Sequence, residues 1–446
     1  MCARKSTIQA RREQVEICLD VDVIGELCRV GTLFHASAHG SSVFSFSYHQ
    51  DWLQRSDAFE IDPDLQLHGT ETYPSRPSGA FRIFLDSAPD RWGRLLLDRR
   101  EILRAREERR PARALNEWDY LLGVHDSCRM GALRFRRDAG SDFLDNDPHL
   151  AAPPITSLRE LEAASLALEA PRADEQPEFR KWLTALLAPG SSLGGARPKA
   201  NYSDPDGTLW IAKFPSREDR RDIGGWEMVV HRLAVDAGLQ VPEARLLTLG
   251  ERHRTFACRR FDRCVDGRRR FFVSAMTLLD RQDGDNASYL ELAEFLATRG
   301  SVSHRENDLR ELWTRVVFNL LVSNRDDHLR NHGFILEGDG WHLAPAFDLN
   351  PNIDRTHHQL AIDTSDPTPD LNLALATAEF YGLRPPEAQK ILQRVKTAVG
   401  HWRAIATKVQ LPLSEIELLA QAFALADNGT KEAAPRDKRQ TVKRLY

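Results

Sequence analysis

The chain has 446 residues, of which 41% are apolar and 28% charged, with a formal net charge of −4. That length allows about two to four domains with full hydrophobic cores, and the near-neutral balance excludes a chain given over entirely to nucleic acid. No apolar run reaches the roughly 18 residues that a bilayer span requires, the start "MCARKSTIQARR" lacks an apolar h-region, and the six cysteines form no C-x-x-C pair. The expectation is a cytoplasmic protein with reduced thiols and no membrane partner.

From Val15 to Phe46, short apolar runs alternate with Gly25, Gly31 and Gly40, the pattern of a β-meander. "DRWGRLLLDRREILRAREERR" has helical periodicity and stops at Pro111; "ALNEWDYLLGV" is a second helix and "MGALRFRRD" a strand. Residues 138–156, rich in Asp, Pro and Ala, form a connection at a domain boundary. Two helical patterns, "SLRELEAASLALEA" and "PEFRKWLTALLA", precede "PGSSLGGARPKANYSDPDGTLWIAKFPS", which alternates glycine-rich turn, strand, turn, strand. The helix "GGWEMVVHRLAVDAGL" and the strands "EARLLTLG" and "RTFACRRFDR" follow, and beyond about residue 275 the pattern is mainly helical. The fold class is therefore α+β, divided as 1–150, a β-rich N-terminal subdomain, 151–265, a β-rich lobe with the glycine-rich turn, and 266–446, a helical lobe.

The chemistry concentrates at the junction. "LLVSNRDDHLRNHGFIL" (Leu320–Leu336) frames two Asp, two His, two Asn and two Arg between apolar ends. Asp326 and Asn331 stand in D-x-x-x-x-N spacing, where a carboxylate can orient an acceptor hydroxyl and an amide oxygen can hold Mg²⁺. Asp348, in "HLAPAFDLNP", falls where a strand would end and can bridge to the metal, or it simply opens a turn before Asn350-Pro351. Lys213, in "LWIAKFPS", either snorkels from a strand end or reaches nucleotide phosphates. Glu227 is either its partner or a first-turn helix carboxylate. Gly194 and Gly195 make a turn whose amides can approach phosphates, with Lys199 nearby, or an ordinary hairpin. Taken in order, the turn, strand lysine, helix glutamate, D-x-x-x-x-N and second Asp follow the kinase sequence.

Two rival readings use other features. His328 and His332, spaced i, i+4, could hold zinc with Asp326, Asp327 or Asp348 for metal-dependent hydrolysis, although no Glu follows His328 as in H-E-x-x-H. The basic clusters Arg109–Arg113, Gly267–Arg270 and Arg436–Arg444 are solvated surface or the contacts of a non-catalytic DNA-binding regulator.

"SSLGGARPKA", "IAKFPS", "RRFDR", "NRDDHLRNHGFIL" and "LAPAFDLNP", in this order, resemble the HipA-like serine/threonine kinases, toxins of bacterial type II toxin–antitoxin pairs. "FRIFLDSAPDRWGRLLLDR" is similar to their β-rich N-terminal subdomain. The resemblance implies a bilobal protein-kinase-like domain using ATP and Mg²⁺, with Asp326 as catalytic base and Asn331 and Asp348 as metal ligands. ATP would be contacted by Gly194, Gly195, Ala196, Arg197, Pro198, Lys199, Lys213, Arg259, Arg260, Phe261, His328, Arg330, Asn331 and Asp348, with Glu227 paired to Lys213. It implies inactivating autophosphorylation at Ser192, next to Ser191. It also implies a helix-turn-helix antitoxin of the HipB kind, operator DNA reached through that complex, and an aminoacyl-tRNA synthetase, such as the glutamyl enzyme, as substrate.

Overall fold

The computed structural model describes residues 11–38, 41–75, 79–147, 152–190 and 195–427. The expected meander is present: β1 (Arg11–Asp20), β2 (Leu27–Ala38) and β3 (Ser41–Tyr48) pair antiparallel, and β4 (Leu133–Arg136) joins the free side of β1, giving the order β3-β2-β1-β4. Gly31 lets β2 cross β3 closely, because a Cβ there would lie 2.4 Å from the Ser47 carbonyl and the Phe46 ring. The helix Arg91–Glu107 begins at an Asp90 cap and ends short of Pro111, with Arg109 already left-handed at φ 52°.

The second sheet contains β5 (Lys199–Ser203), β6 (Leu209–Lys213), β7 (Ala244–Leu247) and β8 (Thr255–Arg259), in the order β5-β6-β8-β7. Its helix, Ile223–Asp236, packs directly onto the sheet: a Cβ on Gly224 would fall 2.3 Å from the Arg254 carbonyl. The last lobe is built from the helices Tyr289–Arg299, Arg305–Leu321, Pro385–Gly400 and Trp402–Lys408 around Trp313, Val316, Val317, Leu320, Val395 and Trp402. It also holds a three-stranded sheet, β9 (Phe272–Ser274), β10 (Gly333–Glu337) and β11 (Gly340–Leu343), in the order β11-β10-β9. Periodicity alone points to a mainly helical region here, because strands of three to five residues are too short to show a period of two. Among the described residues no helix is long and apolar enough to cross a membrane.

The parts share cores. Phe271 and Val273, at the start of the helical lobe, pack among Ile17, Leu19 and Phe135 of the N-terminal sheet. Trp92 and Leu96 pack with Trp210 and Ala212 of the second sheet. A buried polar seam runs along the same junction. Arg260 pairs with Asp262 at 2.6 Å, both side chains fully buried, and donates to the carbonyls of Cys128 and Arg129; Asp262 in turn accepts from the Gly131 amide at 2.8 Å.

Candidate active site

β6 alternates, with Trp210 and Ala212 buried and Leu209, Ile211 and Lys213 half-buried on the opposite face. That alternation turns Lys213 into the cleft between the lobes, where Nζ lies 2.5 Å from Glu227 Oε1 and 2.7 Å from Asp348 Oδ1. The reach of Glu227 follows from the Gly224-Gly225 pair, which brings its helix against the sheet, and from Asp222, whose carboxylate caps the Gly225 amide at 2.9 Å. Burial pulls the Lys213 pKa down, but Asp348 and Glu227 outweigh it and the net shift is upward, so the ammonium stays charged. Desolvation pushes Asp348 up, yet Lys213 pulls it further down and the carboxylate is ionised.

Asp348 has φ 57°, a left-handed conformation that costs a non-glycine residue about 1–3 kcal/mol. Two residues on, where kinases carry the glycine of D-F-G, this chain carries Asn350, and the strained residue is the aspartate itself. Asn350 Nδ2 donates to Asp348 Oδ1 at 3.3 Å, while Asn350 Oδ1 is buried with no hydrogen-bond partner among the described residues.

The paired aspartates separate completely. Asp327 is buried and accepts from Tyr289 Oη at 2.5 Å, Asn319 Nδ2 at 2.9 Å and His332 Nε2 at 2.7 Å. Burial alone would raise its pKa; His332 and these hydrogen bonds reverse that and hold it below the usual carboxylate range. Asp326 turns outward, its side chain 53% exposed, and its only ion pair among the described residues is with Arg355 at 2.9 Å. Asn331 Nδ2 closes the loop on the Asp326 carbonyl at 3.3 Å. The loop therefore hangs from a buried anchor at Asp327 and presents Asp326. His328, in the same loop, is close enough to both Asp327 and Asp348 to help hold the pKa of each carboxylate low.

Other expected nucleotide contacts divide. Ser191, Ser192 and Gly194 lie outside the described residues. Gly195 opens the described part of the turn at φ 107°, and Ala196 and Pro198 continue it to β5. Arg197 is held by both oxygens of Asp219, at 2.5 and 2.6 Å, and Lys199 by Asp90 at 2.6 Å. Arg259 is half-buried opposite Trp210. Phe261 stacks on Phe347, the residue before Asp348, with ring centroids 5.4 Å apart. Arg330 points outward to Asp283 at 2.7 Å. Arg260 faces the N-terminal subdomain and binds Asp262 and Asn201 Oδ1, with its side chain fully buried. The alternative zinc pair also divides, because His332 is buried against Asp327; among the described residues no cluster of His, Cys, Asp or Glu is placed to hold a metal. The buried partners Tyr289, Asn319, Asp219 and Asp90 carried no local sequence signal.

A sheet lysine paired to a helix glutamate and to Asp348, with His328 of the polar loop close enough to Asp348 to influence its charge, sits in a two-lobed fold of the protein-kinase type. Comparison with known proteins agrees. The model of the HipA N-terminal domain matches residues 21–136, and that of the HipA-like C-terminal domain matches residues 191–402. The chain belongs to the HipA-like family. A putative kinase of Haemophilus influenzae is 29% identical over 185 residues, 36% of this chain and 52% of that protein. A putative kinase of Sinorhizobium fredii is 27% identical over 217 residues, 44% of this chain and 49% of that one. The chain thus spans about half the length of the curated relatives it matches. The HipA structure of Shewanella oneidensis, solved with HipB and operator DNA, covers 92% of this chain and 95% of its own with a TM-score of 0.63 at 19% identity, a likeness of fold.

Proposed function

We propose that the chain is an ATP- and Mg²⁺-dependent serine/threonine protein kinase of the HipA type, working in the cytoplasm. The observation that carries this is the Lys213 ammonium suspended between Glu227 and Asp348. A half-buried cation held by two carboxylates is poised to meet nucleotide phosphates while one carboxylate turns to a metal. The donor set suits Mg²⁺, which takes one or two carboxylates together with phosphate oxygens and water. Asp348 and Asn331 are the ligands in this reading, and Asn350 Oδ1, which has no hydrogen-bond partner among the described residues, is a further hard oxygen beside Asp348. Bound Mg²⁺ would offset charge on the β- and γ-phosphates. Asp326, outward and next to Arg355, would accept the proton of the acceptor hydroxyl.

Ser192 is the autophosphorylation site in this reading; a phosphate there adds about −1.5 to −2 charges beside the nucleotide phosphates and opposes ATP binding. Following the Shewanella complex, the partners are a HipB-like helix-turn-helix antitoxin and, through it, operator DNA. The substrate class is an aminoacyl-tRNA synthetase such as the glutamyl enzyme, whose phosphorylation would halt translation.

The test is incubation of dephosphorylated protein with Mg²⁺ and γ-labelled ATP, followed by mass spectrometry of the peptide holding Ser191–Lys199. Phosphate on Ser192, absent from Asp326→Ala, supports the reading. Absence of both label and ATP binding in the parent protein overturns it.

A further inference from the structure

The N-terminal segment "LDSAPDRWGR" (Leu85–Arg94) takes no part in the chemistry above, yet its side chains reach both walls of the cleft. Asp86 accepts from the amide and the hydroxyl of Ser274, at 2.8 and 2.7 Å, on the strand that pairs with β10 just after the Asp326 loop. Four residues on, Asp90 Oδ2 meets Lys199 Nζ at 2.6 Å, with the side chains only 8% and 4% exposed. The other Asp90 oxygen caps its own helix, accepting from the Gly93 amide at 2.9 Å. Two residues after Asp90, Trp92 Nε1 donates to the Lys199 carbonyl at 3.1 Å. One helix start therefore holds Lys199 at its backbone and at its ammonium.

A buried ion pair of this kind adds little to stability, since desolvation consumes most of the Coulomb gain. What it provides is a fixed direction for a long side chain that otherwise samples many rotamers. That direction matters because of what surrounds it. Lys199 is the register partner of Lys213 across β5 and β6. Its Nζ also donates to the Gly195 carbonyl at 3.2 Å, inside the glycine-rich turn, and its charge reaches Asp348.

We propose that Asp90 is a positioning residue of the nucleotide site: through the buried Asp90–Lys199 pair, the N-terminal subdomain sets the lysine and the glycine-rich turn for the phosphates of ATP. The proposal rests on the kinase reading, with Lys199 as a phosphate contact. It makes the β-rich subdomain part of the nucleotide site. Fixing the cation before the nucleotide arrives lowers the ordering cost of binding.

The experiment is calorimetric titration of full-length parent, Asp90→Asn, Asp90→Glu and Lys199→Gln with ATP, ADP and adenosine in Mg²⁺, with steady-state kinetics and thermal melts alongside. Asp90→Asn should weaken ATP and ADP about tenfold, the loss of one charge-assisted contact, and leave adenosine unchanged. KM for ATP should rise more than kcat falls, and Asp90→Glu should recover part of the affinity. Lys199→Gln, which leaves the helix cap intact, should show the same phosphate-selective loss and decides the matter if Asp90→Asn fails to fold. Equal weakening of adenosine marks the pair as merely structural and overturns the proposal. Unchanged or tighter ATP binding overturns it too, because Asp90 would then be irrelevant or would restrain the lysine. A parent protein that binds no nucleotide removes the kinase reading, and the proposal with it; a parent that binds ATP while both variants match it removes the proposal alone.

Discussion

Lys213 Nζ stands 2.7 Å from Asp348 Oδ1 across 135 residues of sequence, with Glu227 Oε1 2.5 Å away on its other side. Strand β6, the helix behind it and the segment after β11 are thus tied at one ammonium. An unpartnered cation at this depth would be costly, so the three side chains are one electrostatic unit.

Removing the cation from that unit leaves two carboxylates facing each other. Lys213→Met should reduce phosphoryl transfer by about 10²–10³-fold and destabilise the fold by roughly 3 kcal/mol. Label incorporation and urea denaturation measure the two effects. A variant with normal transfer would show that the cation is structural only.

The neighbouring aspartates should fail in different ways. Asp326→Asn should abolish transfer with an unchanged melting temperature, because the side chain is outward and half-exposed. Asp327→Asn should cost about 3 kcal/mol, because it weakens a buried acceptor of three hydrogen bonds from Tyr289, Asn319 and His332. Thermal melts alongside kinase assays separate them, and the opposite pattern would reassign the base.

Arg260→Met tests the inward placement of that arginine. The variant removes a donor from the Cys128 and Arg129 carbonyls, the latter keeping Arg263, and strips Asp262 of one of its two arginine partners, so unfolding should become easier by about 3–5 kcal/mol. ATP affinity of the folded fraction should be unchanged. A selective loss of ATP binding would return Arg260 to the adenine site.

His358 supplies a pH dependence. Burial, the largest influence, lowers its pKa from 6.5 to about 4, and the residue is 4% exposed. The unfolded chain therefore binds a proton that the folded one refuses between those values. Stability from the neutral ring is complete above pH 6.5 and is lost as pH falls towards 4, about 2 kcal/mol of it by pH 5. In His358→Met the difference in unfolding free energy between pH 7 and pH 5 should shrink by that amount; an unchanged difference would place the acid sensitivity elsewhere.

Much of this molecule is legible in its sequence. The meander, the long helices and the Lys213–Glu227 partnership follow from local periodicity and order, since a side chain's face on a strand or helix is set by its immediate neighbours. Short strands such as β9 lie below that resolution. What only the tertiary structure decided is which polar side chains are spent inward. Asp327 is buried because Tyr289, 38 residues away, donates to it, and Lys199 is fixed because Asp90 arrives from 109 residues earlier. Arg260 looks like a hinge contact in its motif, but it is turned towards Cys128 and Arg129 by the docking of another subdomain. Spacing along the chain reports which groups can share a face. Burial, and with it the charge and role of each group, depends on segments that meet only when the chain closes on itself.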